Sequence, residues 1–175
     1  RDVLGSRGLG DVYKRQKYIL GTFEITPILL SHDVKCFGYV VHSTITDETL
    51  VNITDTGYIP DNSFEIISNA DFYIFESNHD TDMELNSPRP AYLIKRNMSD
   101  TGHLNNIDSS YYLSLIVGNK TKTILFAHLS RDCNREDLVL KAYKDVFLAQ
   151  KGSIPDIEVY CLHQDLPTFI QTKVK

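Results

Sequence analysis

The chain has 175 residues, 42% of them apolar and 23% charged, which is the profile of one globular domain with a buried core. A formal net charge of -5 excludes a generally basic nucleic-acid-binding surface, although a local basic patch or a bound metal ion is still compatible with it. Without a roughly 20-residue apolar run, a signal peptide or a C-x-x-C pair, the sequence predicts a soluble cytoplasmic protein that does not enter a membrane.

The first sixteen residues differ from the rest because glycines and basic residues alternate there without an apolar period. Residues 11–16 look like the translated end of an adapter used in sequencing libraries. We therefore expect Arg1 to Gln16 to be a non-native artefact, which should be excluded from reasoning about the fold. The native part is then expected to begin at about Lys17, inside a domain.

Strands and helices are predicted to alternate along the native part. The predicted strands cover 23–30, 37–42, 50–54, 71–75, 123–127, 157–162 and 169–174. Asp47 and Glu48 form a polar turn between the second and third of these strands and favour antiparallel pairing. This alternation with helices predicts an α/β fold with layers of sheet and helix.

Helical periodicity is clearest in the second half of the chain. The predicted helices cover about 62–68, a short segment with Lys95 and Arg96, a segment from Asn105 or Asn106 to Gly118, and 135–150. In the third helix, Ile107, Tyr111 and Leu115 recur at helical spacing. In the last, Leu138 and Ala142 belong to the predicted apolar face, and Gly152 stops the helix.

Three of the predicted strands lead into residue types that bind metal ions. Asp55 follows one strand just before Gly57, and His32 and His128 each follow another. Any one of these residues alone is more simply an ordinary polar residue at the end of a strand, because loops are polar. Together they match the ligand set of catalytic zinc and related divalent ions, so the pattern favours a metal site, which spacing alone does not prove.

Two further segments carry residues of acid–base chemistry. Glu76, Asn78 and His79 lie in one loop after a strand, and His103 follows Gly102 just before a helix. A helix N-terminus attracts phosphate, and an adjacent imidazole can donate a proton to a leaving oxygen. Turn and cap formation is the alternative for the acid and the amide, and spacing leaves both open.

Six motifs in this order resemble the C-terminal two thirds of a metallo-β-lactamase-fold hydrolase. They are Ser31-His32-Asp33, Thr54-Asp55-Thr56-Gly57, Phe75-Glu76-Ser77-Asn78-His79-Asp80, Lys95-Arg96, Gly102-His103-Leu104-x-Asn106 and Ala127-His128-Leu129-Ser130. The similarity covers 17–175 and points to the YycJ (WalJ) branch, bacterial cytoplasmic proteins treated as DNA exonucleases. It implies an αββα sandwich, incomplete here because its N-terminal part is missing, with a two-metal site at one edge.

The resemblance also implies a role for each residue of the site. His32, Asp55 and His128 correspond to metal ligands, with two divalent ions, zinc or manganese, in the intact protein. Glu76 and His103 correspond to an acid–histidine pair in which the imidazole protonates the leaving group. The implied substrate-binding residues are Asn78, His79, Lys95, Arg96, Asn106 and Ser130. Two ions suit phosphodiester cleavage, because one activates water while both neutralise phosphate charge.

Two departures from the family pattern affect what this polypeptide is expected to do. The H-x-H-x-D-H motif that supplies most ligands is absent, and it would lie before Lys17. With three ligands for two ions, we expect weak metal binding and little or no activity from the 175-residue chain itself. Asn105 replaces the usual serine, which puts a contact with the backbone or with phosphate in doubt.

The leading functional hypothesis is a metal-dependent phosphodiesterase or nuclease, exonuclease-like, with DNA as its substrate. A hydrolase of small thioesters or lactones on the same fold is the first alternative, and the acidic composition favours it slightly. The second alternative is a non-catalytic remnant that binds nucleic acid or a partner protein. A homo-oligomer stays open as the state of assembly.

Overall fold

The computed structural model describes residues 17–168, so the predicted artefact over 1–16 and the predicted strand over 169–174 lie outside the described residues. The strands are β1 (Tyr18–Leu20), β2 (Phe23–Leu29), β3 (Phe37–Ser43), β4 (Thr49–Ile53), β5 (Phe72–Glu76), β6 (Thr123–Ala127) and β7 (Glu158–Cys161). A 3-10 turn (Asp61–Ser63) precedes the helices, which are α1 (Phe64–Ile67), α2 (Thr81–Leu85), α3 (Ala91–Asn97), α4 (Asn106–Ile116) and α5 (Glu136–Lys151). Among the described residues, every helix is too short or too polar to cross a membrane.

The seven strands form one mixed sheet in which spatial order follows chain order. The pairs from β1 to β4 are antiparallel, which for β3 and β4 is the pairing that the polar turn at Asp47 predicted, and the pairs from β4 to β7 are parallel. Every residue of β6 is buried, whereas β4 and β5 contain both buried and half-buried residues, and Ile53, Phe75 and Phe126 are fully buried. Within residues 17–168, this sheet with its helices is one part of the predicted sandwich.

Helix α5 packs on the sheet through a face one residue away from the predicted one. Val139, Tyr143 and Phe147 are its buried residues, whereas Leu138 and Ala142 are only half-buried. The rings of Tyr143 and Phe147 lie 4.5 Å apart. The prediction was wrong because the two aromatic rings remove more apolar surface from water than the aliphatic side chains beside them.

Helix α4 also faces the opposite way from the one its apolar spacing suggested. Ile107, Tyr111 and Leu115 point outward, with exposures of 57%, 41% and 45%. The buried side is rich in serine, and the Ser109 hydroxyl donates to the backbone oxygen of Glu76. Leu113 and Ile116 are buried on the same side, so core packing and hydrogen bonding together set the rotation of this helix. The bond from Ser109 ties α4 to the last residue of β5.

Candidate active site

Parallel strands end at a common edge of the sheet, and this topology gathers the chemically active residues. Asp55 follows β4, Glu76 is the last residue of β5 and His128 follows β6, while His103 comes from the loop between α3 and α4. One ligand atom from each of these four residues lies within 4.8 Å of the others. We call this group the acid–histidine cluster.

Two members of the cluster have an unusual backbone conformation. Asp55 has φ 63° and His128 has φ 59°, both in the left-handed region that residues other than glycine rarely adopt. Such conformations cost about 1–3 kcal/mol each and persist where the surrounding structure enforces them. Here the Asn78 side-chain amide donates to the His128 backbone oxygen over 2.9 Å, which holds one of these turns.

Glu76 is the centre of the acid–histidine cluster and is fully buried. Its Oε1 accepts hydrogen bonds from Nδ1 of His103 at 2.9 Å and from Nδ1 of His128 at 2.7 Å. Its Oε2 accepts from the backbone N–H groups of Thr56 at 3.0 Å and Leu104 at 3.2 Å. Since these four bonds use the lone-pair directions of the carboxylate, Glu76 orients its neighbours and leaves the metal ligands to other residues.

These contacts fix the charge state of Glu76. Burial alone would raise its pKa, but hydrogen bonds from His103 and His128 outweigh burial and lower the pKa to about 2. The hydrogen bond to Glu76 raises the pKa of His128, although burial opposes it. Because the ionised carboxylate only accepts hydrogen bonds, each imidazole donates from Nδ1 and a neutral ring carries its lone pair on Nε2.

The donor set of the cluster fits a divalent metal ion. A metal-bound histidine usually donates its other ring N–H to a carboxylate, and His128 has that arrangement with Glu76. Asp55 Oδ1 lies 3.5 Å from His128 Nδ1 and 3.9 Å from His103 Nδ1, so its carboxylate is next to both rings. Carboxylate oxygen and imidazole nitrogen suit zinc and manganese alike.

His32 lies beside the cluster and is not one of its members. Its ring centroid is 5.1 Å from that of His103. Its Nδ1 donates to the Gly102 backbone oxygen over 3.0 Å, and its Nε2 lies 3.2 Å from Asp33 Oδ1. Both ring nitrogens thus face oxygen atoms, so a role as metal ligand stays a prediction that requires Nε2 to leave Asp33.

Three of the predicted substrate-binding residues are buried. Asn78, His79 and Asn106 are 8%, 1% and 2% exposed. Asn106 exchanges hydrogen bonds with Asn134, a residue for which the sequence carries no signal because it precedes α5 in a separate loop. Burial lowers the pKa of His79 and keeps its ring neutral. Because they are buried, these three side chains have little access to a substrate.

The other three predicted substrate-binding residues lie nearer to solvent. Lys95 is exposed on α3. Arg96 is paired with Asp33, with Nε 2.7 Å from Oδ2. The Ser130 hydroxyl accepts a hydrogen bond from Arg89 Nη2 at 3.2 Å. Lys95 is therefore the cation of this group with the clearest access to a substrate.

A second buried carboxylate, Glu84, lies in a network of its own next to the cluster. It is fully buried, and Arg89 Nη1 donates to both of its oxygens, over 3.3 and 3.0 Å. The Asn97 amide adds a hydrogen bond of 2.8 Å. Glu84 is thus comparable to Glu76 in burial and bonding but is not among the potential metal ligands found in residues 17–168.

The pKa shifts of the cluster predict how stability depends on pH in the metal-free chain. Glu76 contributes stability that is present above its ordinary pKa of 4.5 and is lost as pH falls towards its folded pKa of about 2. His128 contributes stability present below its ordinary pKa of 6.5 and lost as pH rises through its raised folded pKa. Urea unfolding at a series of pH values gives the free energy of unfolding. For Glu76→Gln, this free energy is expected to fall less steeply than in wild type as the pH is lowered below 4.5. A fall as steep as that of wild type would contradict this, and so would an equally reduced slope in Glu65→Gln, which changes an exposed glutamate.

Comparisons with known proteins agree with the motifs. No protein-family model matches the chain. It is 35% identical over 176 residues to the exodeoxyribonuclease WalJ of Streptococcus pneumoniae, covering 93% of this chain and 64% of that protein. It is 32% identical over 174 residues to the exodeoxyribonuclease YycJ of Bacillus anthracis, covering 93% of this chain and 65% of that protein.

The crystal structure of the metallo-β-lactamase fold protein YhfI from Bacillus subtilis matches with a TM-score of 0.59 and 21% identity, over 84% of this chain and 49% of that one. The chain spans slightly less than two thirds of the length of WalJ and YycJ.

Proposed function

We infer from the metallo-β-lactamase fold of this chain, and from its similarity to the WalJ and YycJ exodeoxyribonucleases, that the protein is a metal-dependent hydrolase of nucleic-acid phosphodiesters. DNA is the favoured substrate, with exonuclease-like cleavage. The observation that carries the proposal is the acid–histidine cluster, in which a buried, ionised Glu76 orients two imidazoles beside Asp55. Metal-assisted hydrolysis of a phosphodiester uses a proton donor and metal-binding groups close together, and both types of group lie at this edge of the sheet.

The proposal gives each member of the cluster a separate role. Asp55 and His128 would hold a divalent ion, zinc or manganese, with His32 as the further ligand, and a second ion would bind beside it. A bound ion would supply an activated water and neutralise charge on the phosphate. His103 is fixed through Nδ1, so Nε2 is the atom that delivers a proton to the leaving oxygen, and Glu76 stabilises the imidazolium before transfer.

We place this reaction in the cytoplasm because of the cysteines. Cys36, Cys133 and Cys161 are the three cysteines of the chain, and all are unpaired. Burial raises the pKa of the Cys161 thiol to about 12, which makes that thiol unreactive. Unpaired cysteines fit a reducing compartment better than an oxidising one.

The proposal is tested by cleavage of end-labelled single- and double-stranded DNA in single-turnover experiments, with enzyme and Mn²⁺ or Zn²⁺ in excess because few ligands are present. Slow, metal-dependent cleavage is expected, which a chelator and Asp55→Asn abolish. Asp47→Asn is the matched control, since Asp47 is an exposed aspartate that is also left-handed, with φ 57°. Cleavage that survives Asp55→Asn would contradict the proposed site. Absence of cleavage in wild type with retained DNA binding would favour the non-catalytic alternative, and turnover of thioesters or lactones alone would favour the small-molecule hydrolase.

A further inference from the structure

Residues 31–33 hold the segment that carries His103. They donate three hydrogen bonds to three successive backbone oxygens of segment 99–103. The bonds are Ser31 Oγ to Asp100 O (2.8 Å), Asp33 N to Thr101 O (3.1 Å) and His32 Nδ1 to Gly102 O (3.0 Å). We call these residues the 31–33 clamp, and the residue that follows the last bonded oxygen is His103.

Close packing holds the same segment from another side. A Cβ atom on Gly57 would lie 2.3 Å from the carbonyl carbon and oxygen of Asp100 and 2.4 Å from Ser99 O. The Gly57 N–H also donates to Ser31 O at 2.9 Å, and this bond joins the turn after Asp55 to the clamp. Segment 99–103 therefore has little room to shift towards β4.

The Asp33–Arg96 ion pair closes the clamp. Arg96 Nε and Nη2 lie 2.7 and 2.6 Å from Asp33 Oδ2. Arg96 belongs to the last turn of α3, from which segment 99–103 departs, so the pair ties the start of that segment to the clamp. Both side chains are partly exposed, and such pairs contribute little to global stability. Their removal should therefore leave the protein folded.

We propose that Asp33 and Arg96 are positioning residues that keep segment 99–103, and with it the His103 imidazole, in place for proton transfer to the leaving group. This inference rests on the proposed function, because it takes His103 as the proton donor. It also reassigns Arg96, which the motif resemblance identified as a substrate-binding residue, to an internal contact. The expected consequence is a defect in catalysis that appears only when the leaving group needs a proton.

The test compares two substrates with the metal-loaded chain. One is DNA, and the other is a nucleoside 4-nitrophenyl phosphodiester, whose nitrophenolate leaves without protonation. Asp33→Asn and Arg96→Met are each expected to lower kcat on DNA by about 10- to 100-fold with little change in KM, and to affect the activated ester much less. The double variant should be no slower than either single variant, and Arg96→Lys should recover part of the rate. Arg135→Met, which removes an exposed arginine paired with Asp137, is the matched control and should behave as wild type.

Several results would overturn the proposal. Equal losses on both substrates would mean a general structural defect. A raised KM in Arg96→Met, together with unchanged or faster cleavage by Asp33→Asn, would mean that Arg96 binds the substrate phosphate.

Amide hydrogen exchange tests the clamp without a measurement of activity. The Asp33 N–H is bonded to Thr101 O, so its exchange should accelerate in Arg96→Met. Unchanged protection there would overturn the clamp even if the enzyme cleaves DNA. If wild type cleaves neither substrate, the proposed function fails, while accelerated exchange would still support the clamp.

Discussion

His103→Ala is expected to slow DNA cleavage by about two to four orders of magnitude while leaving bound metal unchanged. The physical reason is that Nδ1 of His103 is fixed on Glu76 at 2.9 Å, which leaves Nε2 as the atom able to protonate the leaving oxygen. Single-turnover rates measure the first effect, and metal analysis after gel filtration measures the second. An activated nitrophenyl ester should be cleaved at nearly the wild-type rate.

The control for this variant is His163→Ala, because His163 is an exposed histidine that contacts Glu136 on the surface. It should retain wild-type rates and metal content. If His103→Ala loses metal in proportion to its rate, then His103 is a ligand, as its place in the cluster also allows. An unchanged rate would remove His103 from the mechanism.

Glu76→Ala is expected to destabilise the metal-free chain by about 3–5 kcal/mol, because it leaves buried donors without an acceptor. The same change should weaken metal binding about 10- to 100-fold, since His128 loses the carboxylate that orients it. Urea unfolding gives the first quantity, and calorimetric titration with Zn²⁺ or Mn²⁺ gives the second.

Glu84→Ala separates these two effects. Glu84 is as buried as Glu76 and is bonded to Arg89 and Asn97, so its removal should also cost several kcal/mol by the same argument. It contacts no member of the cluster through a hydrogen bond, so metal affinity should stay at the wild-type value. If both variants lose the same affinity, then the loss in Glu76→Ala reflects general unfolding and the orienting role is wrong.

The sequence predicted the parts of the site that follow from local patterns. Apolar runs located β4, β5 and β6, and Asp55, Glu76 and His128 were singled out because each ends or follows one of these strands. The parallel pairing that brings them to one edge of the sheet is seen only in the fold. The fold class and the resemblance to WalJ and YycJ are confirmed by the similarity of both sequence and structure. The roles of the individual residues stay predictions.

Contacts between distant segments could not be predicted from one sequence. His32 and Gly102 are 70 positions apart, and nothing in their local patterns indicates that they are bonded. The outward face of α4 was missed for a related reason, because Leu113 and Ile116 pack into the core beside the Ser109 hydrogen bond and leave Ile107 and Tyr111 on the outside. Asn134 likewise contributes through partners that only the folded chain brings near.

The four hydrogen bonds of Glu76 have a consequence for how an ion would arrive. Glu76 holds both imidazole rings through Nδ1, so an ion that binds at Nε2 does not have to freeze them, a saving of about 0.5–1.5 kcal/mol for each side chain. Metal binding is therefore not coupled to folding here, unlike in small domains that are unfolded until metal binds. Circular dichroism spectra recorded before and after addition of the ion should therefore overlay, and the heat of binding should reflect coordination and dehydration alone.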